Sequence, residues 1–282
     1  MNIQITADST IDITEELKQK YDIKTIGLSV TLGDKDYIDG EDIDSSQIFD
    51  YIRQTKNLPK TGAVSVERYK EFFGELSNDD TAIIHFTISS EMSSCYNFAK
   101  TASSEFKNVY VVDSRCLSTA IALLAIKARR LADEGKTAEE IFNTVQELAN
   151  SDKTECSFIL DNLKLLYKGG RCSMVQMFGA NLLRLKVYIG VHNGKMGVDS
   201  KYRGKFEDCV QRYITDILTK YPNYDKHCCF ITYTTAKDEV LEKAIETVTQ
   251  LGEFENIYLT TANGTIASHC GENTIGILYL KN

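Results

Sequence analysis

Proline is nearly absent: Pro59 and Pro222 are the only two in 282 residues, and no Ser/Gly-rich or low-complexity tract interrupts the chain. Disordered stretches are thereby excluded, and any junction between domains has to be short. Zinc-ligand spacing is missing too, because the eight cysteines are scattered without a C-x-x-C or a Cys/His cluster. The start, Met1-Asn2-Ile3-Gln4, has no basic head followed by an apolar stretch. The longest apolar run within a helical pattern, Ala120 to Ile126, is far shorter than the roughly 20 residues of a membrane span. Reduced thiols in a cytoplasmic protein are therefore expected. Neither G-x-x-x-x-G-K-[ST] nor G-x-G-x-x-G occurs, which leaves nucleotide binding by the usual loops unsupported. A net charge of −8 argues against a nucleic-acid partner.

What is present is an ordinary globular balance, 43% hydrophobic and 26% charged, long enough for two domains. Three times in the first half an apolar strand runs into a hydroxyl-rich turn and then a helix. Ile3 to Ile5 leads to Thr6-Ala7-Asp8-Ser9-Thr10 and a helix capped by Thr14. Ala82 to Ile88 leads to Ser89-Ser90-Glu91-Met92-Ser93-Ser94 and a helix carrying Tyr96, Ala99 and Ala102. Val109 to Val112 leads to Asp113-Ser114 and an Ala/Leu-rich helix from about Leu117 to Glu134. Near-continuous apolar strands alternating with helices predict a parallel sheet covered on both faces. Thr61-Gly62-Ala63-Val64-Ser65 precedes an amphipathic helix with Tyr69, Phe72, Phe73 and Leu76 on one face, and Ser65 is its natural cap.

The second half reads differently. A helix from about Ala138 to Asn150 leads to the strand Cys156 to Ile159, and Leu163 to Tyr167 is closed by Gly169-Gly170. Val187 to His192 and Met196 to Val198 flank Asn193-Gly194, a type I′ hairpin signal. A helix near 206–221, a strand Cys229 to Tyr233, a helix 238–251 and strands Ile257 to Thr261 and Ile275 to Leu280 follow. The expectation is an α/β protein of two domains: residues 1–153 with a three-layer parallel sheet, and 154–282 with a mixed sheet.

In open α/β sheets ligands sit beyond the carboxyl ends of the strands, where helix N-termini point at them. Here those places carry Ser and Thr, which donate to an anion without adding charge and so suit a carboxylate head on an apolar body. Taken singly, each such serine reads as a helix cap. Ser93 stands out because four serines crowd a turn that one would cap. Of four histidines, His85 reads as core and His192 and His227 as surface, whereas His269 is expected in a loop between the last two strands. Arg171 and Arg203 read in isolation as solvated charges, Asp8 and Asp113 as caps.

Together these segments resemble the DegV family, the fatty-acid-binding proteins that include the lipid-binding subunit of bacterial fatty acid kinase. The likeness runs from Ile5-Thr6-Ala7-Asp8-Ser9-Thr10 to Ile275-Gly276-Ile277. Its sharpest points are Thr61 to Ser65, Ile88 to Tyr96, Leu166-Tyr167-Lys168-Gly169-Gly170-Arg171, Val198 to Lys205 and Ile266-Ala267-Ser268-His269. The resemblance implies a long-chain fatty acid as ligand, no cofactor, and no catalysis by this chain. It implies that Thr61, Ser93 and His269 hold the carboxylate. Gly62, Ser94, Arg171 and Arg203 fall at secondary head-group or partner positions. It further implies an apolar tunnel for the acyl chain and a separate kinase subunit that phosphorylates the bound carboxylate for phospholipid synthesis. Ser94-Cys95 replaces the family's Gly-Thr, Gly62, Val64 and Val66 replace its Ser/Pro neighbours, and Glu272-Asn273 its Pro-Gly. A competing enzyme reading is a serine acyl hydrolase using Ser93 and His269, although G-x-S-x-G is missing. A redox or transcriptional regulator acting through its cysteines is the third.

Overall fold

The computed structural model describes residues 1–172 and 185–282. Strands β1 (Asn2–Asp8), β2 (Ile23–Ile26), β6 (Thr81–Thr87) and β7 (Val109–Asp113) form a wholly parallel sheet in the order β2-β1-β6-β7. Helices α3 (Val66–Leu76) and α4 (Cys95–Ser103) pack on this sheet, as do α5 (Thr119–Asp133) and α6 (Ala138–Asn150). Local signals start these helices where expected. Ser65 accepts from the Arg68 amide, and Thr137 and Glu140 close a reciprocal capping box at α6. Thr14 caps α1 (Glu15–Lys20).

The second sheet is mixed and six-stranded. It comprises β8 (Thr154–Leu160), β9 (Lys186–His192), β10 (Lys195–Tyr202), β11 (Tyr224–Tyr233), β12 (Ile257–Thr261) and β13 (Thr274–Lys281), in the order β10-β9-β8-β13-β11-β12. Among the described residues of this sheet only β11 and β12 run parallel. Asn193 (φ 51°) and Gly194 (φ 82°) make the β9–β10 turn, the double positive φ of a type I′ turn. Helices α8 (Phe206–Lys220) and α9 (Asp238–Leu251) cover one face.

The other face meets α5, which also packs against β1 and β6 of the parallel sheet. Residues Thr119 to Ile126 are all buried, whichever way they point, because this helix has a sheet on either side. Burying Ile121, Leu123, Leu124 and Ile126 stabilises the fold by roughly 1.5–3 kcal/mol each. One hydrophobic core consequently runs from Ile5 to Leu280 through both sheets. Cys228 faces this core and its neighbour Cys229 the α8–α9 core, as strand alternation requires.

A third, small sheet falls outside the sequence expectation. Strands β3 (Ser29–Leu32), β4 (Lys35–Ile38) and β5 (Lys60–Gly62) pair antiparallel in the order β4-β3-β5, with α2 (Ser45–Thr55) beside them. Thr61 and Gly62 thus lie on a strand rather than a loop. Two short helices complete the site: α7 (Lys164–Gly169), stopped by Gly170 at φ 72°, and α10 (Gly264–Cys270). His269 therefore sits on a helix where a loop was expected. That helix is buried at every residue but His269, so it shows no amphipathic period.

Candidate functional site

Although α10 comes between two strands of the mixed sheet, it packs against α2, β3 and β5 of the small sheet. Buried polar groups fix its start. Asp12 accepts from the Asn263 amide at 2.8 Å and from the Ser118 hydroxyl at 2.6 Å, and the Asn263 side chain donates to Ser9 O at 2.7 Å. Asp39 holds the Ser9 hydroxyl at 2.8 Å and lies against Gly264. Burial raises the pKa values of Asp12 and Asp39 and pushes Asp8 up to about 6.

This anchoring brings His269 to Thr61, with Oγ1 and Nε2 2.9 Å apart across 208 residues of sequence. The residue is half-buried, but its Nδ1 is shut off from solvent and has no hydrogen-bond partner among the described residues. Burial, with a smaller contribution from the Arg171 charge, lowers His269 to about 4, so the imidazole is neutral at pH 7. Gly169, the last residue of α7, makes room for it: a Cβ there would lie 2.6 Å from Nδ1. Arg171 is exposed at the rim, its guanidinium donating to Gly169 O at 2.8 Å.

Facing this pair is the serine loop, residues 88–94. Asp8 accepts from the Ile88 amide at 2.9 Å as well as from Thr10, and Asp113 accepts from the Ser90 amide and hydroxyl at 3.1 and 2.5 Å. Asp8, expected as a cap, does cap the short turn at Ser9 and is also a strut of this loop, whereas Asp113, expected as a cap too, caps no described helix and serves as the second strut. The Ser93 hydroxyl accepts from the Cys95 amide at 3.3 Å and donates to the Cys95 sulfur at 3.2 Å. Ser94, at the cap position of α4, makes no side-chain capping bond.

Thr61, Gly62, Ser90, Ser93, Ser94, Asn97, Arg171 and His269 converge on one cavity of about 340 Å³. Leu28, Ile88, Met92, Leu117, Met196 and Ile266 give it apolar walls. The first turn of α4 opens on the cavity and lends it the positive end of a helix dipole. An apolar slot adjoins past Leu117, Ile266 and Cys270, lined further by Phe158 and Leu278. Polar donors at one end and apolar walls behind suit an amphiphile with an anionic head. Ser90 and Asn97 are site residues that sequence reasoning did not single out, although Ser90 lay within the serine cluster.

Arg203 is not brought in. It is exposed beyond β10, its carbonyl accepting from Arg212 at 2.6 Å, and it does not line the cavity. Glu272 also stays away: its carboxylate pairs with Arg53 and lines a separate depression beside α7, so its charge does not oppose an anion in the cavity. A larger cleft of about 480 Å³ opens near the start of β8, around Lys153, Glu155, Lys220 and Lys281. It holds none of the expected residues, and Glu155 and Lys281 pair there at 3.4 Å. The smaller cavity is the candidate site because the expected side chains converge there.

The remaining expectations divide. His85 is fully buried, bonded to Thr6 Oγ1 at 2.9 Å and set edge-on against Tyr69 and Phe73, and burial lowers it to about 3. His192 is exposed and paired with Asp199, whereas His227, expected at the surface, is half-buried near Glu255. A hydrolase would need Ser93 bonded to His269 and an acid on the far ring nitrogen. Ser93 bonds Cys95 instead, and Nδ1 lacks an acid among the described residues. All eight cysteines are buried and outside any disulfide; burial pushes Cys95, Cys228 and Cys270 up to about 12, away from thiolate reactivity. Among the described residues no helix is long and apolar enough to cross a membrane.

Comparison with known proteins points the same way. The model of the DegV family, whose members are described as uncharacterised proteins, matches residues 2–282. A Thermotoga maritima protein described as a fatty acid-binding protein is 30% identical, covering 98% of this chain and 96% of its own. A Thermus thermophilus DegV family structure, described for fatty acid binding, superposes with a TM-score of 0.90 at 25% identity over the whole of both chains. A second structure, of a Thermotoga maritima protein described as revealing fatty acid binding function, gives 0.86 at 28% identity, again over both whole chains. With the match extending over essentially its full length, this chain belongs to the DegV family.

Proposed function

We propose that this protein binds one long-chain fatty acid, with the carboxylate between Thr61, Ser93 and His269 and the acyl chain along the apolar walls. The observation that carries this reading is the convergence of those three side chains, from β5, the serine loop and α10, on one cavity with an apolar interior. The relatives described as fatty acid-binding proteins support it.

The energetics divide the work. A buried tail contributes roughly 0.8 kcal/mol per CH₂, about 10 kcal/mol gross for a long chain. Association and tail ordering take several kcal/mol of this back. Affinity therefore comes from the tail, while hydroxyls and helix N–H groups fix the head and keep its buried charge solvated. The protein acts as a carrier without catalysis of its own. A separate kinase subunit phosphorylates the bound carboxylate for phospholipid synthesis in the cytoplasm, and Arg171 at the rim and Arg203 farther out meet that partner. We read residues 1–153 and 154–282 as the two domains, since the parallel and mixed sheets fall on either side of 153.

The test is mass spectrometry of protein purified without added lipid. About one fatty acid per chain is expected, and protein free of lipid that also fails to take up palmitate would refute the reading. Ser93→Ala is expected to disorder the head group more than it weakens total binding. Complete loss of lipid from a folded Ser93→Ala protein would overturn the division between head and tail.

A further inference from the structure

The β9–β10 hairpin reaches out of the mixed sheet and rests its tip on the serine loop. Two successive carbonyls of the tip are captured there. Gly194 O accepts from the Ser89 hydroxyl at 2.8 Å, and Asn193 O accepts from Arg115 Nη2 at 2.6 Å. Lys195 pairs with Glu91 at 3.3 Å alongside. The seat is close: a Cβ on Gly194 would stand 2.7 Å from Ser89 Oγ and 3.2 Å from the Arg115 guanidinium. Two residues farther on, Met196 is a wall of the cavity.

Ser89, fully buried, is the hub of these contacts. Its hydroxyl also accepts from the Glu91 amide at 3.3 Å. Its carbonyl accepts from the amides of Met92 at 2.9 Å and Ser93 at 3.2 Å. Gly194 is thus joined to the Ser93 backbone through a single residue. Arg115 makes a second route. Its amide donates at 3.1 Å to Asp113, the carboxylate that also holds the Ser90 amide and hydroxyl. Arg115 adopts φ 55°, a left-handed backbone that long side chains rarely take.

We propose that the Asn193-Gly194 tip is a latch that sets the serine loop toward the ligand head, with Ser89 and Arg115 as positioning residues. The proposal rests on the reading of Ser93 as a carboxylate-binding residue. Disturbing the latch then blunts recognition of the polar head and spares the tail.

The experiment compares cis-parinaric acid with its alcohol on delipidated protein, probes that share a tail and differ in the head. Ser89→Ala and Arg115→Ala are each expected to weaken acid binding about tenfold and alcohol binding less than threefold. Arg115→Lys, which keeps one donor, falls between wild type and Arg115→Ala. In the absence of lipid, Gly194→Ala is expected to speed amide hydrogen exchange at Met92 and Ser93 at least tenfold; should it fail to fold, Arg115→Ala gives the same readout. Equal losses for both probes, or unchanged exchange at Met92 and Ser93, would overturn the latch. Wild-type protein that does not prefer the acid would sink the carboxylate reading instead, and the exchange measurement would still judge the latch.

Discussion

Adding one methyl group at Gly169 tests how the candidate site is built, independently of any ligand. Gly169 ends α7 without a positive φ, so alanine fits its backbone and helix propensity favours the change by up to about 1 kcal/mol. The new Cβ, however, would stand 2.6 Å from His269 Nδ1 and 3.5 Å from Cε1. The half-buried ring has to withdraw by several tenths of an ångström. It is tied on its other side to Thr61 at 2.9 Å, and that bond breaks or bends. Leaving a buried hydroxyl or ring nitrogen unsatisfied costs about 1–3 kcal/mol, and holding the ring off its rotamer about 1 more. Gly169→Ala is therefore expected to destabilise the protein by about 1–3 kcal/mol. Urea unfolding of Gly169→Ala, His269→Ala and the double variant measures the coupling. Without the imidazole, the methyl enters the space it left, and the Gly169 substitution becomes neutral or mildly stabilising, a coupling of about 2 kcal/mol. An equal cost of Gly169→Ala in both backgrounds would refute the packing described for His269.

Thr61→Val keeps the shape of the side chain and removes the oxygen facing His269. It is expected to lower unfolding free energy by about 1–2 kcal/mol, and a cost near zero would mean that the ring nitrogen finds another partner. The pH dependence of stability follows from His269, lowered from 6.5 to about 4. Its neutral form is favoured by the fold, so its contribution is present above pH 6.5 and is lost as pH falls toward 4. His269→Asn lacks this titration, so the variant gains on wild type by about 2–3 kcal/mol between pH 7.5 and 4.5; a constant difference across that range would contradict the burial of the ring. Finally, native protein is expected to resist Ellman's reagent at pH 7 and to yield eight thiols once denatured. Fast labelling of a folded thiol would reopen a redox role.

The repeated strand, hydroxyl turn and helix of the first half were legible because continuous apolar strands and capping residues are local signals. The Asn193-Gly194 hairpin was legible for the same reason, its double positive φ being written in the dipeptide. The small sheet was not: β4 and β5 are short and largely solvent-facing, without an apolar period to betray them. Helix α2 carries a start signal in Asp44 and Gln47, a capping box, but lacks the apolar strand pattern on either side that would mark its place in the fold. Thr61, Ser93 and His269 were picked out through family resemblance, and their convergence is what the coordinates add. Nothing near His269 in sequence reveals Asp12, Asp39 or Gly169, the residues that fix its position from other elements. Such partners are set by tertiary contacts alone.

The return of α10 to the small sheet has a consequence for synthesis. A chain emerging from the ribosome exposes β5 and the serine loop long before residues 264–270 exist. Until that segment arrives, the groove beside Thr61 lacks its histidine and one of its walls. The cavity is therefore among the last features to mature, closing only once residues 264–270 have packed against β3 and β5.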